Sequence, residues 1–361
     1  ALLEMLAVDY PADAPTAFPD KPFHKMLAAH GVVAKGAQSM PADDSHPYLH
    51  VDMSQCVTCY RCVRICDEVQ GQNVWTPVGR GASTVMATPG ATSLNDSPCV
   101  SCGACASTCP SGAIDDKTVL QLGVPERVVR TTCPYCGVGC ELDVGVRGGH
   151  ITQILPAMTS PVNKGHTCVK GRYAWGFLDA PDRVTQPLIR AAGVLRPASW
   201  EEAIALVTSR LREILAASGP GAVGVLGSSR STNEENYVAQ KFARVALGTN
   251  NVDCCARVCH APTAHAMAGL FGTGAATSSY DDIELARSIL VCGANATENH
   301  PVVGARIRQA ARKGAALIVI DPRRIELANE ATIHLATRPG TNVALLQSMA
   351  HVMLRDGLVD E

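Results

Sequence analysis

No charge of one sign dominates this sequence. Lys and Arg total 31 against 33 Asp and Glu in 361 residues, a formal net charge of -2. No long run of either sign occurs, so nucleic acid and anionic membrane are poor expectations as partners. No apolar run is long enough to span a bilayer, and nothing with a charged start and apolar middle reads as a signal peptide, which makes cytoplasmic the expected location. The chain opens on Ala1 rather than Met, which leaves room for a leader. Nucleotide signatures are missing too: there is no P-loop, and "GAVGVLGSS" lacks the spacing of a G-x-G-x-x-G fingerprint. NAD is therefore not expected to bind this chain itself.

What the sequence has in excess is cysteine, sixteen in all, within a chain that is 47% hydrophobic and long enough for two or more cored domains. That number is too high for an ordinary enzyme of a reducing compartment unless most of the thiols are ligands. Their positions support that reading. "CVTCYRCVRIC" places Cys56, Cys59, Cys62 and Cys66 at C-x2-C-x2-C-x3-C, and "CVSCGACASTCP" repeats the spacing with Cys99, Cys102, Cys105 and Cys109 before Pro110. In the bacterial ferredoxin run, three close cysteines hold one [4Fe-4S] cube and the fourth crosses to the other. The expected sets are then Cys56, Cys59, Cys62 and Cys109 for one cube, and Cys99, Cys102, Cys105 and Cys66 for the other. Soft thiolates match iron-sulfur cores. A pair of zinc knuckles is the competing reading, but zinc sites usually join two short CxxC or CxxH elements across a longer gap. The insert from Asp67 to Pro98, rich in Gly, Ser, Thr and Pro, reads as a loop elaboration without chemistry.

A third group, "CPYCGVGC", supplies Cys133, Cys136 and Cys140, with Cys168 following after a gap. Between them "ELDVGVRGGHITQIL" alternates apolar and polar residues around Gly148 and Gly149, which predicts an antiparallel hairpin that folds the last cysteine back. One more cubane is the economical reading, with zinc as the alternative.

From Trp200 the pattern changes. "SWEEAIALVTSRLREILAA" has helical spacing after a Ser199 cap, and "NEENYVAQKFARVAL" and "HPVVGARIRQAARKG" also read as helices. "AVGVLGSS", "SILVCGAN" and "ALIVIDPRR" read as strands, so a parallel three-layer α/β sheet is expected. Ligands bind beyond the carboxyl ends of such strands. The polar loops "GSSRSTNEEN", "GANATENHP" and "DPRR" fall there, which suggests a large phosphate-bearing cofactor. Finally, "NNVDCCARVCHAPTA" packs Cys254, Cys255 and Cys259 into six residues and sets Cys259 against His260. A thiolate beside a group that titrates near neutrality suits a soft metal and a moving proton. Three small thiols packing a loop is the bland alternative.

"CPYCGVGCELDV" with "CVKGRYAWGF" resembles the amino-terminal iron-sulfur domain of the molybdopterin-dinucleotide oxidoreductases, and "VDCCARVCHAP" resembles the metal-ligand segment of molybdenum- or tungsten-dependent formate dehydrogenases. The doubled ferredoxin run is similar to that of the soluble NAD-linked members. The resemblance covers nearly the whole chain from about Asp52. It implies an α+β ferredoxin-like two-cluster module over 51–125 after an amino-terminal linker region 1–50, a small β-rich [4Fe-4S] domain over 126–185, and an α/β parallel-sheet domain over 186–361. That last domain would bind the pterin dinucleotide and would be incomplete, since the chain ends soon after "RPGTNVALLQ". The family's formate-anchoring arginine is then expected beyond Glu361.

The same resemblance implies a bis-molybdopterin guanine dinucleotide carrying Mo or W, with Cys259 as metal ligand and His260 as acid-base partner. Cys254 and Cys255 match neighbours that do not bind the metal. Lys170 would stand between the third cube and a pterin ring. Arg230, Asn295, Glu298, Asp321, Arg323, Gly340 and Asn342 would contact the dinucleotide. The implied activity is oxidation of formate to carbon dioxide, with electrons leaving through three [4Fe-4S] clusters. The implied partners are the remainder of the catalytic subunit and a flavin- and iron-sulfur-bearing diaphorase that reduces NAD. Another oxidoreductase of the family, such as a nitrate reductase, and a non-catalytic electron-wire subunit similar to that of respiratory complex I are the rival readings. Some relatives carry an extra cluster upstream; with no cysteine before Cys56 it is not expected here, and His24 and His30 read as ordinary helix or loop residues.

Overall fold

Short strands, short helices and tight turns dominate the first half. The computed structural model describes residues 1–37 and 40–359. The chain divides into two units: one comprises Ala1–Trp175 together with the chain from Tyr280 onward, and the other comprises Gly176–Ser279. This division cuts across the expected 186–361 region.

In the first unit, the stretch expected as a linker carries the helices Leu2–Ala7, Ala14–Ala17 and Pro22–Ala29. They close over their own buried cluster of Ala7, Tyr10, Ala14, Phe23, Leu27 and Ala34. The ferredoxin-like module then begins and ends on one ladder, Leu49–Val51 running antiparallel to Ile114–Asp116. Each cysteine run turns into a short helix, Arg61–Ile65 and Ala104–Thr108. The two runs also share a backbone path: Thr58 and Tyr60 in the first, and Ser101 and Gly103 in the second, all have φ between 49° and 69°. The insert is more than a loop. It forms a hairpin, Thr76–Val78 with Val85–Ala87, and contributes Val74, Trp75, Met86 and Leu94 to the core that contains Cys66 and Cys105. Its polar composition concealed four apolar side chains spaced widely enough to reach one cluster.

The predicted hairpin is Glu141–Arg147 with His150–Pro156. Gly148 and Gly149 make the turn at φ 55° and 86°, where a side chain would be strained. Arg127–Thr132 adds a further antiparallel strand on its other side. Beyond Tyr280, Ser288–Cys292, Ala316–Ile320 and Ile333–Leu335 pair in parallel, with Leu317 and Val319 fully buried under the helix Pro301–Arg312. Arg308 of that helix, itself buried, donates to the carbonyls of Gln70 and Gly71 and pairs with Glu326 at 2.6 Å. The ferredoxin-like module is thereby tied to the parallel sheet.

The second unit holds the helix Trp200–Ser218, capped by Ser199 accepting from the Glu202 amide at 3.2 Å. It also holds the helix Asn233–Lys241, opened by a reciprocal Thr232 and Glu235 cap. Val225–Gly227 pairs in parallel with Val252–Cys254. The parallel pairing expected from Trp200 onward is therefore present, divided between the two units.

Candidate functional site

Burial first decides what the cysteines can do. Cys56, Cys59, Cys62 and Cys109 line one small, partly open pocket with Met53, Met86 and Ile114. Cys66, Cys99, Cys102 and Cys105 line a second with Val74, Trp75 and Gly103. Two pockets ringed by four thiols each suit one kind of occupant used twice. In both sets the fourth thiol crosses from the other run.

Among the described residues no three His, Cys, Asp or Glu side chains converge tightly enough to hold a single ion. The spaces are apolar, and burial pushes the Cys62 and Cys102 thiols up to about 12, with neighbouring thiols adding to the effect. Unliganded, they stay protonated, so metal binding must displace protons. Backbone amides already point at the sulfurs: Thr58 to Cys56, Val74 to Cys66 and Ser101 to Cys99, each at 3.4 Å.

The third group forms where the sheet meets the helix Val169–Tyr173. The Cys133 amide donates to the Cys140 carbonyl at 2.8 Å, closing the loop between them. Cys168 precedes the helix, and its charge and those of Cys133 and Cys136 all bear on Cys140, which burial raises to about 12. Gly171 sits against Cys133; a Cβ there would stand 3.3 Å from that sulfur.

Lys170, on the same helix, is half-buried, and its Nζ donates to the main-chain carbonyl of Glu298 at 2.7 Å. One cleft is lined by Cys102, Cys168, Lys170, Thr297 and Glu298 together. The second and third thiol groups therefore open onto a common space. Asn295 and Asp321 are buried directly after consecutive parallel strands. The Glu298 amide bonds back to the Asn295 carbonyl at 3.2 Å, and Asp321 turns its loop by accepting from the Arg323 amide at 2.8 Å. Gly340, at φ 85°, and Asn342, at the start of the helix Asn342–Arg355, follow the third strand. These positions share the carboxyl-end edge of one sheet, where a ligand of an α/β fold is expected.

In the second unit Arg230 lies in the loop after Val225–Gly227. Cys259 and His260 mark the junction of the helices Ala256–Cys259 and Ala261–Phe271, and both are exposed. Cys255, set aside on the sequence, turns out to be the contact between the two segments. Its sulfur lies 3.3 Å from the Ser229 amide and 3.0 Å from the Ser229 hydroxyl, and those bonds hold the thiol below its ordinary range. The parallel pairing of the strands before each loop brings them together.

Residues 183–361 match the family described as molybdopterin oxidoreductase, and residues 126–180 match its Fe4S4 domain. The chain belongs to the molybdopterin oxidoreductases. Residues 46–115 match the ferredoxin-like domain of NADH-quinone oxidoreductase subunit 3. This order, ferredoxin-like domain then molybdopterin oxidoreductase domains, is the fold expected from the sequence, and the domains indicate iron-sulfur clusters and a molybdopterin as cofactors.

Among curated relatives, "Probable oxidoreductase YjgC" of Bacillus subtilis is 34% identical over 95% of this chain and 37% of its own length. The alpha subunits of the F420-dependent formate dehydrogenase of Methanocaldococcus jannaschii and of F420-dependent formate dehydrogenase 1 of Methanococcus maripaludis are 44% and 45% identical over 65% and 64% of this chain. The match spans 34% of each of those two proteins, so the chain covers about a third of the length of such relatives. A solved structure of acetylene hydratase from Pelobacter acetylenicus superposes with a TM-score of 0.55 at 26% identity, over 64% of this chain and 32% of that one. Among the described residues no helix is long and apolar enough to cross a membrane.

Proposed function

We propose that this chain is part of the catalytic subunit of a formate dehydrogenase and that Cys259 and His260 form its reacting pair. The observation that carries the reading is the Cys259–His260 junction: a thiol and an imidazole adjacent in sequence, both exposed, at the start of an 11-residue helix. The family match and the relatives named formate dehydrogenase support it.

A bis-molybdopterin guanine dinucleotide with Mo or W would supply the two-electron oxidation of formate, and three [4Fe-4S] clusters would supply one-electron carriers. Cys259 would ligate the metal through its sulfur. The overall change is formate to carbon dioxide, one proton and two electrons, and His260 would take the proton on an imidazole nitrogen. Lys170 has three donors, one of them used by Glu298. The remaining two would hydrogen-bond the pterin and its positive charge would face it. Arg230, Asn295, Glu298, Asp321, Arg323, Gly340 and Asn342 are the proposed dinucleotide contacts.

The twelve cysteines of the three groups are the proposed cluster ligands. A cytoplasmic location follows from the need to keep that many thiols reduced. The further partners proposed are the remainder of the subunit and a flavin- and iron-sulfur-bearing diaphorase that passes electrons to NAD.

Quantifying iron, zinc, molybdenum and tungsten in the full-length protein, with formate-dependent dye reduction on the same sample, tests the proposal. About twelve irons with one molybdenum or tungsten, and reduction by formate, is the expected result. Iron without the heavier metal would support a second reading instead, a non-catalytic electron carrier, which the match of residues 46–115 to a respiratory subunit's domain favours. Zinc in place of iron would overturn both.

A further inference from the structure

The two cysteine runs repeat in spacing and backbone path but not in surroundings. At the second left-handed position inside each run, the first has Tyr60 and the second has Gly103. A Cβ built on Gly103 would lie 2.8 Å from Arg172 Cδ, and closer still to its Nε and to the Tyr173 hydroxyl. The missing side chain is what admits the Arg172 side chain against the main chain between Cys102 and Cys105.

Arg172 is 1% exposed. Its Nη2 pairs with Asp116 at 2.8 Å, Nη1 donates to Ser107, and Nε lies 3.2 Å from the Tyr173 hydroxyl. That hydroxyl in turn donates to Asp116 at 2.7 Å, and Tyr48 stacks on the Tyr173 ring at 4.5 Å. The ion pair is thus an oriented dipole with its positive part on the cysteine loop.

A second donor faces the same set. His46, also buried, accepts at Nδ1 from the amides of Tyr48 and Leu49, both at 3.1 Å. Its ring proton therefore sits on Nε2, which faces the Ser101 hydroxyl at 2.9 Å and Cys99 Sγ at 4.0 Å. The first set has Arg61 on its pocket wall, but that side chain is exposed and solvent-screened, and its nearby ion pair, Lys21 with Asp115 at 2.6 Å, has a partly exposed lysine that stands against Gly112.

Resting on the reading of these thiols as iron-sulfur ligands, we propose that Arg172, admitted by Gly103, holds the cluster of Cys66, Cys99, Cys102 and Cys105 at a higher reduction potential than its repeat-related counterpart. Reduction adds one negative charge to a cluster. A fixed positive charge in a poorly screened interior stabilises that reduced state, and hydrogen bonds to the sulfurs act in the same direction. The cluster at the second set also opens onto the cleft shared with Cys168 and Lys170, so it is the first of the repeated pair to meet electrons from that side. A higher potential there would draw them in. Arg172 acts through the cluster's surroundings and touches no substrate.

The test is a stepwise anaerobic reduction of the full-length protein with dithionite, followed by electron paramagnetic resonance, with Cys102→Ser identifying the signal of the second set. Arg172→Gln should lower the midpoint of that signal and leave the others in place. Asp116→Asn, which removes the opposing charge, should raise it, and Arg172→Lys should return it towards the native value. A merely structural role would not move the potential in opposite directions. An unchanged midpoint in Arg172→Gln protein of full iron content would overturn the proposal. If Arg172→Gln loses iron, the direction of the Asp116→Asn shift decides, and a downward or absent shift overturns it. If Cys102→Ser removes neither iron nor a signal, the ligand reading fails and this inference fails with it.

Discussion

Lys170 Nζ donates to the main-chain carbonyl of Glu298 across 2.7 Å, although 128 residues separate them in sequence. The bond joins the helix after Cys168 to the loop after the strand Ser288–Cys292. It places a cation beside the third thiol group at the ligand edge of the parallel sheet. Because the acceptor is backbone, the contact depends on the loop's path and tolerates changes of side chain at 298.

Replacing Lys170 with Met should therefore leave iron content intact and reduce formate-dependent dye reduction in the full-length protein by about 10²-fold, the usual scale for removing one preorganised donor. Parallel metal analysis and activity assays check it. Unchanged turnover at full cofactor content would remove Lys170 from the site.

Cys133→Ser should remove about four irons per chain, the content of one cubane, with the other two groups retained. Iron and acid-labile sulfide assays on the purified protein read this directly. Loss of a single metal equivalent would instead favour zinc at the third group.

Arg172 and Asp116 are 1% and 2% exposed at their side chains, so breaking the pair strands a buried charge. Arg172→Met should destabilise the unit by about 3–5 kcal/mol, and adding Asp116→Leu should recover part of that loss. Urea midpoints for the two single variants and the double variant close the cycle. Additive losses would mean that the pair is not coupled.

His24 is buried, its Nδ1–H donating to the Phe18 carbonyl at 2.6 Å and its Nε2 lying 2.6 Å from the Tyr10 hydroxyl. Burial holds the imidazole below its ordinary value of 6.5, and the charge of Lys21 pushes the same way. The unfolded chain thus takes up the proton first as pH falls. Stability should be unaffected well above 6.5, decline as pH drops through that value, and level off once the folded-state value is passed. Urea midpoints across this range, compared with those of His24→Gln, check the sign; a variant with the same pH profile as the native protein would exclude His24 as the source.

Gly103→Ala tests the packing on its own. A left-handed non-glycine residue costs about 1–2 kcal/mol, and here the added methyl also meets Arg172 and Tyr173, so the loss should exceed that range. The same substitution at Gly149, also left-handed but with open space around it, is the control and should show only the backbone cost.

Cysteine spacing, the hairpin around Gly148 and Gly149 and the alternation of strands with helices after Trp200 were all legible along the chain. Each is a local pattern: thiols that line one pocket recur within a few residues, and burial on one face imposes a fixed period. Because the run repeats, the sequence also set Cys109 with the first thiols and Cys66 with the second, and those sets line the two pockets. The core role of Val74, Trp75, Met86 and Leu94 was hidden by a polar, glycine-rich context, and Arg172 carried no signal beyond being one arginine among many.

The sequence by itself determined which thiols can act together and in what order the domains follow. Tertiary structure decided which charges they sense. The Arg172–Asp116 pair, the approach of Arg172 over Gly103, the reach of Lys170 to Glu298 and the contact of Cys255 with Ser229 join residues far apart in the chain. The first two depend on how the folded elements exclude water around a charge and the last two on which loops the paired strands and helices bring together, and no spacing rule along the chain encodes either.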